Sequence, residues 1–185
     1  MGARNRPLGR QIFKSLLRAS IGSRNYRRFL KYYRRMTAWR QLGIRYFRIS
    51  GYGEIHGYLM PSDAKTLFDI SRSLDAHKPV VVEIGCLMGK SSMVIAKGLR
   101  NKVSPRMYCI DPFDGRGTKI AAEIREKGID VESIFRENMR RFKVDGFVHT
   151  LKGFSHDYAE DWSEEVDFLF VDGDHSREAV KRDFD

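Results

Sequence analysis

The first fifty residues contain no aspartate or glutamate, against 14 lysines and arginines. Residues 51–185 hold 20 basic and 24 acidic side chains, so the net charge of +10 arises entirely from the first segment. Charge is segregated along the chain, not spread over it. Cysteine is scarce too. Cys86 and Cys109 are the only two, too few for a disulfide scaffold and wrongly spaced for a metal knuckle, so reduced thiols in a cytoplasmic setting are the simplest account. No apolar run approaches the roughly 18 residues of a membrane span, and the arginine-rich start lacks a secretory apolar core, although it also fits an organellar transit peptide. There is no internal repeat and no low-complexity tract. With 42% hydrophobic and 31% charged residues in 185, the chain has material for one globular domain plus an extension.

The most informative stretch is Val80-Val-Val-Glu-Ile-Gly-Cys-Leu-Met-Gly-Lys-Ser-Ser92. A β-branched run reads as a buried strand; it ends in Glu83 and passes into a turn spaced by Gly85 and Gly89, after which Ser91 and Ser92 can open a helix. Free N–H groups at such a helix start would face an anion. A phosphate-cradling loop needs four residues between its first glycine and Gly-Lys-[Ser/Thr]. Here only Cys86, Leu87 and Met88 intervene. Leu87 also breaks the dinucleotide pattern G-x-G-x-x-G.

Three more apolar runs end in polar loops. Met107 to Asp111 closes on a carboxylate 22 residues after Gly89, near the spacing at which an acid reaches ribose hydroxyls. Phe147 to Leu151 leads into Lys152-Gly-Phe-Ser-His-Asp157, and Val166 to Val171 leads into Asp172-Gly-Asp-His175. Helical patterns separate them at Met93–Leu99, Ile120–Arg125 and Ile134–Phe142. Strand alternating with helix predicts βαβ units on a parallel sheet, with the four polar loops on one edge.

Read together, Glu83-Ile-Gly-Cys-Leu-Met-Gly-Lys-Ser91, Cys109-Ile-Asp-Pro-Phe113, Gly153-Phe-Ser-His-Asp157 and Val171-Asp-Gly-Asp-His175 resemble the class I S-adenosylmethionine-dependent methyltransferases. The similarity is to their small-molecule O-methyltransferase branch, of macrocin and catechol type, and covers Gly57 to Asp185. The resemblance implies an α/β, Rossmann-like methyltransferase fold with strand order 3-2-1-4. The later strands of the family's sheet are missing, so the chain reads as truncated after the fourth. It implies that Gly85 and Gly89 lie beside the methionine part of S-adenosylmethionine with Ser91 near its carboxylate, that Asp111 holds the ribose and that Ser155 and His156 meet the adenine, and it counts Glu83 among the cofactor-binding residues. Asp172 stands where metal-dependent members hold a divalent cation such as Mg²⁺, and His175 where catechol-type enzymes keep a base near the acceptor oxygen. Asp172 and His175 are therefore the catalytic candidates, and Asp172 the metal ligand. The implied acceptor is a small-molecule or glycan hydroxyl, and a homo-oligomer stays open.

Residues 1–50 form a basic extension to a domain over 51–185, with Gly51, Gly53 and Gly57 at the joint. Ile12, Phe13, Leu16 and Leu17, then Tyr26, Phe29, Leu30, Tyr33 and Met36, recur at helical spacing among arginines. Such helices suit an anionic membrane surface, which would make a cytoplasmic protein peripheral at the membrane; nucleic acid is the weaker rival. A third reading lays the stripe over the domain core. After Pro61, Ser62 is expected to cap a helix burying Ala64, Leu67, Phe68, Ser71 and Leu74. Two other functions stay open: a P-loop nucleotide hydrolase using Lys90, Ser91 and Asp172, and a non-catalytic membrane- or RNA-binding module with a degenerate half-domain.

Overall fold

A computed structural model describes residues 8–75, 77–116, 118, 120–174, 176, 177, 180 and 181, with 8–17, 19 and 21 as backbone only. Four parallel strands form its centre: β1 (Val80–Ile84), β2 (Arg106–Asp111), β3 (Val148–Lys152) and β4 (Phe168–Val171). Their spatial order is β3-β2-β1-β4, as the resemblance implies. The chain runs outward from β1 to β3 and then crosses to the other side of β1. That reversal lies between β1 and β4, and in open α/β sheets ligands bind beyond the strand ends at such a switch point.

Helices α1 (Leu8–Leu42), α2 (Pro61–Ser73), α3 (Lys90–Leu99), α4 (Ala121–Lys127), α5 (Val131–Arg141) and α6 (His156–Ala159) complete the fold, with a 3-10 segment over Ile44–Glu54. β1 is central, and Val80 to Glu83 are buried, which suits its β-branched composition. α3 is apolar nearly all round and buries Ser91 to Ala96, Gly98 and Leu99. Asp130 starts α5 by accepting the Ser133 backbone N–H at 2.9 Å.

Two helix starts differ from expectation. α2 begins at Pro61 with Met60 in the cap position. Proline suits the first helical position because its missing N–H would be unpaired there anyway, and the Ser62 hydroxyl turns to Asp63 instead. α3 begins at Lys90 with Gly89 in the left-handed conformation before it, so Ser91 and Ser92 lie inside the helix and are buried.

The N-terminal segment departs further. The side chains of Ile12, Phe13, Leu16 and Leu17 lie outside the described residues. Gly22, at φ 75° and ψ 155°, breaks the helical path of α1. The helix meets the domain through Ala38 and Leu42, which join Ile49, Tyr52 and Ile55 in the same core as Phe68 and Met93. Packing is therefore continuous across residue 50. The glycines at the expected joint are close contacts: a Cβ on Gly53 would lie 2.9 Å from the Arg34 carbonyl oxygen, and one on Gly51 would strike the Phe142 ring. Glu54 pairs with both Arg35 and Arg141. Among the described residues the stripe does not cover the core, although Tyr26 and Leu30 are half-buried. Phe29, Tyr33 and Met36 are 42%, 47% and 37% exposed, because the opposite side of the helix carries the small Ala38 that allows close docking.

Candidate functional site

The loops after the strands enclose a cleft of about 460 Å³, within the usual range for a small-molecule site. Gly85, Ser91, Asp111, Ser155, His156 and Asp172 all line it, as the sequence implies for a shared edge. Gly85 is obligatory. Its φ is +87°, and a Cβ there would lie 2.5 Å from the Asp172 carbonyl oxygen and from Gly173, so the β1 and β4 loops touch only because no side chain intervenes.

Asp111 organises the floor. Its Oδ2 accepts the backbone N–H groups of Cys86 at 2.7 Å and Leu87 at 2.8 Å, while Oδ1 accepts that of Phe113 at 2.6 Å. The Gly85 N–H reaches the Ile110 carbonyl at 2.9 Å and the Gly89 N–H that of Cys86 at 2.8 Å. The anion facing this loop is thus the protein's own carboxylate. A phosphate would find the amides of Gly85, Cys86, Leu87 and Gly89 already bonded. Lys90 is engaged as well: its Nζ donates to the Gly57 carbonyl at 2.8 Å and lies 5.3 Å from the centre of the Tyr52 ring. Burial, and then the Arg34 charge, lower its pKa. None of this is the geometry of a phosphate-binding loop, in which free amides and a free lysine converge on the anion.

Two anticipated residues stand behind the cleft. Gly89 faces away from it, where a Cβ would meet Met139 at 2.6 Å and Phe135 at 2.9 Å. Glu83 is fully buried under α3 and accepts the Ser91 hydroxyl through Oε1. Burial pushes its pKa up to about 7; the Ser91 bond opposes that rise, and the charges of Asp172 and Asp111 add to it. Ser91 therefore connects the cleft wall to a buried acid. His175 lies outside the described residues.

Neighbours that the sequence reading passed over complete the walls. Asp114 accepts the Arg116 backbone N–H at 2.9 Å and pairs with its guanidinium at 2.5 Å. Burial raises the Asp114 carboxyl, but the Arg116 bonds outweigh it and hold it below its ordinary value. The Arg116 guanidinium sits 4.9 Å from the Phe154 ring, and the His156 ring stacks on Phe154 at 5.4 Å and 10°. The signal was present: Asp114-Gly-Arg116 continues the loop of Asp111, and Phe154 directly precedes Ser155. His56, Gly57 and Tyr58 close the cleft from the N-terminal side.

Asp172 has its backbone N–H on the Ile84 carbonyl at 2.8 Å, which holds the end of β4 against β1. Asp174 accepts the Ser176 N–H at 2.9 Å. Among the described residues, the one set of three clustered ligand atoms is Glu83, Cys86 and Cys109, all buried, and it does not include Asp172. Burial raises both thiols as well as Glu83, which disfavours the thiolates a metal would need, and the set packs as core.

Comparison with solved structures returns cofactor-bound Rv0187 from MTB, at 19% identity and TM-score 0.49 over 69% of this chain and 50% of that one. It also returns the O-methyltransferase from Bacillus cereus in complex with SAH, at 23% identity and TM-score 0.46 over 63% and 46%. The chain spans about half the length of these structures. No curated protein matches it. Residues 82–185, more than half of the chain and the whole of the sheet beyond the start of β1, match the methyltransferase domain model, and the chain belongs to that family.

Proposed function

We propose that the cleft binds S-adenosylmethionine and that the protein methylates a hydroxyl oxygen of a small molecule or sugar. The observation that carries this reading is the cleft itself, at the carboxyl ends of the strands in a methyltransferase-family sheet, lined by Gly85, Ser91, Asp111, Ser155, His156 and Asp172. Gly85 and Ser91 would hold the methionine part. Asp111 keeps acceptor capacity on Oδ1, and with Asp114 it would take ribose hydroxyls; Phe154 and His156 offer a stacked face for a purine. When bound, the cofactor supplies a methyl group on a sulfonium, electrophilic towards oxygen. The chain's own task is alignment and proton removal. A carboxylate at Asp172, at the mouth of β4, would accept a hydrogen bond from the acceptor hydroxyl and orient it, and His175, the base that the resemblance implies, would take the hydroxyl proton as the O–C bond forms and the S–C bond breaks.

Asp172 is also where a divalent cation would bind. The described residues give it no second and third clustered ligand, so the proposed steps use no cation. Nucleotide hydrolysis is disfavoured by the bonded loop amides and the engaged Lys90.

Calorimetric titration with S-adenosylhomocysteine tests the reading. One equivalent is expected to bind, Asp111→Asn to weaken binding at least tenfold, and ATP not to compete. At a hundredfold excess over Kd the ligand should stabilise the native state by about 2.7 kcal/mol. Binding of ATP instead, or no heat with S-adenosylhomocysteine, overturns it.

A further inference from the structure

Helix α1 carries two opposed faces whose chemistry the cleft does not use. At 3.6 residues per turn, Phe29, Tyr32, Tyr33, Met36 and Trp39 fall within an arc of roughly 120°, and Arg24, Arg27, Arg28, Lys31, Arg34 and Arg35 within roughly 120° on the other side. The aromatic face is open except at Trp39, whose ring meets that of Phe47 edge-on at 6.1 Å. Tyr32 is 71% exposed and Tyr33 47%, and the Phe29 and Tyr33 rings stack on each other at 6.1 Å, not on the domain. Ala38 and Leu42 dock from the basic side. Among the described residues, Arg24, Arg27, Arg28 and Lys31 have no ion-pair partner, and α1 contains no acid that could provide one.

We propose that α1 lies on an anionic lipid surface, with its aromatic face at the boundary between headgroups and acyl chains. Tyrosine and tryptophan suit that boundary because each has an apolar ring with a polar edge. Arg28 and Arg34, at the edges of the basic arc, have stems long enough to reach back to lipid phosphates. Charge selects this occupant over a second copy of the chain, since pairing two helices that carry only positive charge brings like charges together. Geometry selects it over nucleic acid. A polyanion gripped by the basic arc would leave the rings on the far side in water, whereas a lipid surface takes both faces at once. No described helix is long and apolar enough to cross a membrane, so the contact is made in the plane of the surface.

Co-sedimentation of the full chain with vesicles is the test. Binding is expected to vesicles of phosphatidylcholine with about 30% phosphatidylserine, only weakly to phosphatidylcholine alone, and to be lost in about 0.5 M salt, where screening shortens the reach of the charges. Replacing Phe29, Tyr33 and Met36 by serine should abolish binding while the melt is unchanged, and replacing Arg28 and Arg34 by glutamine should lower partitioning roughly thirtyfold. Trp39 emission should shift to the blue on binding. No binding to the anionic vesicles, binding indifferent to the serine replacements, tighter binding to RNA at equal phosphate, or a dimer that the serine replacements dissolve would each overturn the proposal.

Discussion

Glu83 shows how one buried residue couples the site to the solvent. Its pKa of about 7 in the folded protein lies above the ordinary value of 4.5, chiefly through burial. The folded state therefore binds this proton more tightly than the unfolded chain. The contribution is fully present below about pH 4.5 and is lost as pH rises through about 7, a difference of about 3 kcal/mol. Melting temperature is expected to fall between pH 5 and pH 8, intervals set by that pKa window of about 4.5 to about 7. Glu83→Gln, which keeps the shape and can still accept the Ser91 hydroxyl, should flatten the decline and melt higher than the native protein at the alkaline end. An unchanged slope in the variant would assign the decline to other groups. Little of this was legible in the residues themselves. Glu83 could be read as a strand-end acid, but its protonation depends on α3 closing over it. Asp111 could be read as a ribose ligand, but its bonds to Cys86 and Leu87 join groups 25 and 24 residues apart, and only the pairing of β1 with β2 brings them together.

Elements were more readable than their ends. The four strands announced themselves because each is an apolar run closed by a polar loop, and β1, buried on both faces, has the β-branched composition that such burial favours. Helix starts were misjudged where serine competed with a better local solution, at Pro61 and at Gly89. The contact between α2 and α3 was invisible in the sequence because it rests on a missing side chain. A Cβ on Gly98 would lie 2.7 Å from Ser71 Cβ, 2.8 Å from the Phe68 carbonyl oxygen and 3.1 Å from the Arg72 nitrogen. Gly98→Ala would gain about 1 kcal/mol of helix propensity. The obstacles include α2 backbone, which cannot step aside locally, so overpacking of about 1–3 kcal/mol should prevail. Denaturant titration should show a lower midpoint; a raised midpoint would mean that the helices separate freely.

At the scale of the whole molecule, charge is divided between an extension with 14 basic residues and no acids and a remainder with 20 basic and 24 acidic residues. The division was plain in the sequence. Which face of α1 turns outward was not, because helical periodicity marks an apolar stripe without saying what it meets. On the basic face Arg24–Arg28, Arg27–Lys31 and Lys31–Arg35 are like charges one turn apart, each pair unfavourable by a few tenths of a kcal/mol, roughly 0.2–0.5. Salt shortens the reach of that repulsion. Helical circular dichroism is therefore expected to strengthen from low to moderate ionic strength without a change in the near-ultraviolet signal of the domain. A flat response would mean that the arginines are already neutralised.

The carboxylate that fastens residues 86, 87 and 113 has a consequence for any guest. A turn that would otherwise flicker among shapes is clamped from within, so little chain entropy is left to surrender when the crevice fills. Vacant and occupied forms should superimpose along this bend, and whatever adjusts to an arriving molecule must lie on the rim that Tyr58 and Arg116 form.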